Sequence, residues 1–237
     1  LANSLSNIAG PELNPTQLGK AVAAIYAEHA FDPKAWLDAI AALPLGFQPG
    51  AQWSYHTSSD VLPILLARVT GKPAGEFLEE RIFHPLGMKD TAHYLPEAKW
   101  DRLATTYRHD ADKKLEICPP VPDLTSPPLK APPAFVRGGS SLVSTVDDYL
   151  QFARMLMGKG AKDNVRILSP EMVPFAMAYS PAESKPGEPL NLAGGFGTTC
   201  RIDAKRGLID LFMNQAALEV TEAQKMFPQL VDQAMQG

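Results

Sequence analysis

An α/β class of fold, of the α+β kind, is predicted by two observations. Amphipathic helical segments run through the middle of the chain. Near its end the period changes, and two strand-like runs joined by a short turn precede one last helix. The whole of 1–237 reads as one domain, with a mainly helical region at 16–180 and the terminal hairpin and helix at 190–237.

The elements follow from local signals. Residues 16–29 read as a helix with Thr16 as N-cap and Leu18, Val22 and Ile25 on one face. Asp32-Pro33 supplies an N-cap and a proline for the first turn of a second helix. Trp36, Leu37, Ile40 and Leu43 form the apolar side of that helix, which stops at Pro44. A third helix is expected over 59–70, with Val61, Leu62, Leu65, Leu66 and Val69 as its apolar stripe, Pro63 tolerated early, and Gly71 ending it. Another starts near Pro73 and turns Phe77, Leu78 and Ile82 inward. Prolines crowd 117–134, which reads as an extended surface loop. Thr145 and Asp148 resemble a capping box at the head of a helix reaching Met157, closed by Gly158 and Gly160. Ser169-Pro170-Glu171 begins a short helix. Phe196–Asp203 and Gly207–Asn214 read as a hairpin around Ala204-Lys205-Arg206, and a last helix begins near Thr221.

Composition narrows the function classes. A net charge of −4 with scattered Lys and Arg, densest at Lys113-Lys114, argues against nucleic acid and anionic membranes as partners. No apolar run is long enough to span a bilayer. Cys118 and Cys200 lie far apart and read as two thiols, neither a metal pattern nor a disulfide framework. No His-Glu-x-x-His or clustered His/Asp set occurs, so no metal and no cofactor are expected. His84, His93 and His109 are isolated and read as surface or packing residues. Leu1-Ala2-Asn3-Ser4-Leu5 lacks the basic start and apolar stretch of a signal peptide, so the compartment cannot be read from it.

Three stretches stand out in order. The first is Pro49-Gly50-Ala51-Gln52-Trp53-Ser54-Tyr55-His56-Thr57, leading into a helix. The second is Ile82-Phe83-His84-Pro85-Leu86-Gly87-Met88-Lys89-Asp90-Thr91. The third runs from Gly138-Gly139-Ser140-Ser141 through Ser144-Thr145-Val146-Asp147-Asp148-Tyr149. Together they resemble class C β-lactamases, penicillin-binding-protein-like D-alanyl-D-alanine peptidases and family VIII carboxylesterases, over roughly residues 43–215. The resemblance implies a β-lactamase/transpeptidase-like fold, an antiparallel sheet flanked by helices with a helical region, here incomplete at its N-terminal side.

It also implies a chemistry. A Ser in Ser-x-x-Lys forms an acyl-enzyme with the Lys as its activator, because a hydroxyl at its ordinary pKa needs a base in contact. A tyrosine supports proton transfer, and a strand motif binds substrate near preorganised oxyanion donors. Tyr55 matches the family tyrosine, and Thr57 stands where the lactamases usually carry Asn, which leans the reading toward esters and leaves a hydroxyl donor for substrate. The third motif is irregular. Gly194-Gly195-Phe196-Gly197-Thr198 resembles the glycine-rich approach to the core strand, but Leu192 falls near the position of the expected Trp, His or Lys. Catalytic Tyr55 and substrate-binding Thr57 and Gly194 are therefore the candidate site residues. Pro-Leu-Gly-Met reads as a turn packing Leu86 and Met88 into the core, and Gly138-Gly139 as a close-approach turn.

The nucleophile motif is missing. No Ser has a Lys three positions on, and Ser126 and Lys130 are four apart. The resemblance implies that Leu1 closes a His-Thr-Ser-Gly-Leu-like segment and that the Ser-x-x-Lys helix lies upstream. On this reading the chain alone is inactive, with exposed strand edges that a second copy or a complementing chain would cover. Two functions stay open: a serine hydrolase acting on a small-molecule ester or a β-lactam/peptide amide, and a non-catalytic pseudoenzyme or binding module.

Overall fold

A computed structural model describes residues 15–29, 32–45, 47–51, 57–118, 133, 135–139, 142–177, 188–217 and 221–236. The chain falls into two units, one of Leu1–Glu80, Ala92–Trp100 and Pro120–Val143, the other of Arg81–Thr91, Asp101–Pro119 and Ser144–Gly237. The proline-rich 119–132 stretch lies outside the described residues.

The first unit holds α1 (Pro15–Glu28), α2 (Pro33–Ala41), α3 (Ser58–Thr70) and α4 (Ala74–Leu78). Helix α1 begins at Pro15, so Thr16 is already helical and does not cap it; the side chain of Leu18 is outside the described set. Helix α2 starts as its sequence dictates. The Asp32 carboxylate accepts the amides of Lys34 and Ala35 at 2.9 Å each, and Pro33 occupies the first turn, where a missing N–H costs nothing. Its apolar side forms the core of the unit. Trp36 and Ile40 are fully buried, and the Trp36 ring lies between Tyr26 at 5.4 Å and Phe135 at 5.2 Å.

Helix α3 ends at Gly71, whose φ of 70° lets its amide reach the Ala67 carbonyl at 2.9 Å. Its buried side differs from the expected stripe. Ser58, Asp60 and Ile64 are buried, whereas Leu62, Leu65 and Val69 are 50%, 51% and 76% exposed. Apolar residues occur around most of this helix, so periodicity leaves its phase open. The partners of Asp60 and the seat of Ile64 in the core settle it. A second correction follows α4. The helical run passes through a π turn, Glu79–Phe83, into α5 (His84–Leu86). A π turn accommodates one extra residue, so the buried positions move from Ile82 to Phe83 and Leu86.

The second unit adds β1 (Tyr107–His109), β2 (Leu115–Ile117), α6 (Val146–Met157), β3 (Ala161–Lys162), β4 (Val165–Arg166), α7 (Val173–Met177), β5 (Leu190–Ala193), β6 (Thr199–Asp203), β7 (Leu208–Phe212) and α8 (Glu222–Ala234). Thr145 caps α6 by accepting the Asp148 amide at 3.2 Å, and Thr221 caps α8 by accepting the Gln224 amide at 3.2 Å. The sheet is antiparallel in the order β5-β6-β7. The β6–β7 hairpin turns through the Asp203 carboxylate, which accepts the amides of Lys205 and Arg206 at 3.1 Å each. Strand β5 and the β1–β2 hairpin carry no clear sequence signal, being four and three residues per strand. Among the described residues no helix is long and apolar enough to cross a membrane.

Alternation along β6 buries Cys200 and Ile202 on one face, where α6 packs, and turns Arg201 to the other, toward α8. Arg201 donates from Nε to Asp210 at 2.5 Å and from its two terminal nitrogens to Asp232 at 3.0 and 2.9 Å; Arg206 donates to the same Asp232 at 2.7 Å. These hydrogen bonds, Arg201's foremost, hold the Asp232 carboxyl down at about 2. A depressed carboxyl pKa stabilises the fold above the unfolded value of about 4 and ceases to do so as pH falls to the folded value. Acid titration of stability should therefore decline between about pH 4 and about pH 2. Asp232→Asn should start lower at neutral pH and lose less across that window. Parallel acid profiles for the two proteins would contradict the clamp.

Candidate functional site

Three segments converge at the head of α3 in the first unit. Gln52 to His56, and with them the candidate Tyr55, lie outside the described residues. Thr57, next in sequence, occupies the N-cap position with helical φ of −52° and ψ of −29°, is 8% exposed, and makes no capping bond with its hydroxyl. Three residues on, Asp60 is 3% exposed with both oxygens engaged. Oδ2 accepts the Tyr26 hydroxyl at 2.5 Å, and Oδ1 accepts the Gly139 amide at 2.9 Å. The Gly138-Gly139 turn fits against α3 because position 138 has no side chain. A Cβ there would fall 2.0 Å from the Ser59 carbonyl oxygen. The Arg137 guanidinium stacks over the Tyr26 ring, 4.5 Å from its centroid.

The phenol of Tyr26 is held far above its usual range, first by burial and then by the charge of Asp60; the Thr57 side chain hydrogen-bonds it in the opposite sense. It therefore stays protonated and donates. Tyr26 and Asp60 carried no motif, and sequence reading missed both. The one available signal was an acid in the first turn of a helix, directly ahead of an apolar run.

In the second unit, the second motif is fastened to the end of the third. Asp148 Oδ2 accepts the Asp90 amide at 2.6 Å and the Thr91 hydroxyl at 2.9 Å. Thr91 also lies 2.7 Å from the Ser144 hydroxyl, and Arg102 donates to Asp90 at 2.9 Å. The Asp148 side chain, predicted as half of a capping box, thus serves a distant segment, while its amide still takes the Thr145 cap. Leu86 and Met88 are buried at 4% and 6% exposure, as the turn reading requires. These bonds account for Asp90, Thr91, Ser144, Thr145 and Asp148 of the two motifs and build the scaffold.

Gly194 follows β5 in the second unit. Its amide donates to the Thr198 carbonyl at 2.9 Å, and Gly197 donates back to the Gly194 carbonyl at 3.0 Å, closing the turn into β6. A Cβ at 194 would meet Thr198 Oγ1 at 2.3 Å. Leu192 pairs with Cys200 and offers an aliphatic side chain where the resemblance expects a polar or indole group. Cys118 and Cys200 are buried thiols. Burial, with the charge of Asp210 second, pushes Cys200 up to about 11, so it is a thiol and a poor nucleophile at neutral pH. Tyr149 is pushed up to about 12, by burial first and by Cys200 second. His84 and His109 are exposed, and His93 is half-buried with its pKa lowered by desolvation.

Comparison with known proteins identifies the framework. Residues 13–229 match the family model described as Beta-lactamase. Protein Rv1367c of Mycobacterium tuberculosis is 43% identical over 141 residues, 60% of this chain and 34% of that protein. Esterase EstB of Burkholderia gladioli is 29% identical over 135 residues, 51% of this chain and 33% of the esterase. The chain spans about a third of the length of these curated relatives. Among solved structures, unliganded Simvastatin Synthase (LovD) from Aspergillus terreus superposes with a TM-score of 0.70 at 20% identity, over 99% of this chain and 67% of that one. The fold is β-lactamase/transpeptidase-like, and the chain belongs to the beta-lactamase family.

Proposed function

We propose that this chain carries the tyrosine-bearing region of a serine hydrolase that works through an acyl-enzyme on a carboxylic ester or a β-lactam/peptide amide. The ordered set of three motifs around Tyr55 carries the reading. The serine nucleophile and its activating lysine come from polypeptide outside these 237 residues, since no Ser here has a Lys three positions on. Tyr55 assists proton transfer, and Thr57 and Gly194 border the substrate. Thr57 in place of the lactamase Asn favours esters, as does the kinship with a protein named as an esterase. A small-molecule ester or amide is the substrate class. The sheet edges at β5 and β7 have no further strand among the described residues, which supports completion by additional polypeptide.

The test is acylation by a fluorophosphonate and by a fluorescent penicillin, read as intact mass. The 237-residue chain should form no adduct. A longer polypeptide that includes a Ser-x-x-Lys segment should be labelled, and Tyr55→Phe should slow that labelling by about a hundredfold or more. An adduct on the present chain that denaturation abolishes would overturn the assignment of the nucleophile. Failure of the longer polypeptide to label would favour a non-catalytic binding module.

A further inference from the structure

A cavity of about 400 Å³ opens on the first unit between the start of α2, the second half of α3 and the segment around Phe135. Its volume falls within the range of small-ligand pockets. Apolar groups line it, including Ile64, Ala67, Ala74, Phe135 and Val136. Two cations, Lys34 and Arg68, stand among the lining residues. Ala67 is ten residues along α3 from Thr57, roughly 15 Å on the helix rise. The cavity therefore belongs to the far part of the helix from the candidate site residue.

The charges there are unequal in their commitments. Lys34 pairs with Asp38 at 2.5 Å, and Asp32 spends Oδ1 on the amides of Lys34 and Ala35. Hydrogen bonding to Asp38 raises the Lys34 pKa, while the neighbouring Arg68 charge opposes it. Arg68 has no carboxylate partner among the described residues. Its place in the last turn of α3 suits the helix dipole, which accounts for a cation but not for the apolar cavity beside it. A guanidinium at the rim of an apolar pocket is matched to a carboxylate carried on a hydrocarbon chain, since it can hold both oxygens while the chain leaves water.

We infer that this cavity is a binding site for an amphipathic monocarboxylate, with the carboxylate on Arg68 and the alkyl chain against Ile64, Ala67 and Phe135. The inference stands apart from the hydrolase reading. Octanoate is the probe, with uncharged 1-octanol as its control, in an NMR titration of the full chain that follows the Ile64 methyl groups. The Ile64 signals should shift and saturate with octanoate. Arg68→Gln should weaken octanoate about tenfold while leaving 1-octanol unchanged. Ala67→Trp, which fills the cavity, should abolish the response to both. An Ile64 signal indifferent to octanoate, or equal octanoate affinity in the wild type and in Arg68→Gln, would refute the site.

Discussion

Trp36→Ala should be the most damaging single substitution in the first unit, costing about 4 kcal/mol, the usual loss for an aromatic side chain deleted from a close-packed core. The ring has no exposed surface and touches Tyr26 and Phe135 at centroid distances of 5.4 and 5.2 Å. Its removal leaves a cavity bounded by two rings that are themselves tied to α1 and to the segment before Gly138. Trp36→Phe should be far milder, within about 1.5 kcal/mol. The indole nitrogen is buried with no hydrogen-bond partner among the described residues, so phenylalanine loses area but also removes an unsatisfied donor. Urea unfolding of the two variants separates these effects. Equal losses for Ala and Phe would mean that the indole N–H is satisfied and that the ring area matters little.

Trp36 was legible in the sequence, and the reason is instructive. Asp32, Pro33, Trp36 and Ile40 lie within one short helix, and each signal acts over two to four residues. The cap at Thr145 and the start of the last helix near Thr221 were legible for the same reason. What escaped reading is non-local. The Tyr26–Asp60 bond joins residues 34 apart, and Gly139–Asp60 joins residues 79 apart. No periodicity encodes such a pair. The phase of α3 failed for a related reason. Its apolar residues outnumber one face, and polar Asp60 wins a buried position only because two distant donors meet it there. Tyr55 and Thr57 were found through resemblance, whereas the buried Asp60 carboxylate, three residues on from Thr57, is visible only in the fold.

Asp60→Ala should cost about 3 kcal/mol. Removing the carboxylate strands the buried Tyr26 hydroxyl, deprives the Gly139 amide of its acceptor, and loosens the exposed Gly138-Gly139 turn from the head of α3. For a chain of this size that is a fall in Tm of about 6–12 °C. Asp60→Asn keeps an oxygen for one donor and should cost less. It also supplies a sharper test through pH. Tyr26 ionises well above its usual range in the folded protein, by burial first and by Asp60 second. A phenol whose folded pKa is raised contributes stability in full below the unfolded value of about 10, and that contribution drains away as pH rises beyond it. Neutralising Asp60 removes the second cause and leaves burial, so the alkaline loss of stability should level off at a lower pH in Asp60→Asn than in the wild type. Tyr149, also raised, contributes equally to both proteins and cancels in the comparison. Denaturation midpoints at pH 8 and pH 11 decide the matter. An identical alkaline profile would show that burial alone holds the Tyr26 proton, and a loss below about 1 kcal/mol in Asp60→Ala would show that the Gly138-Gly139 turn is held against α3 by other contacts.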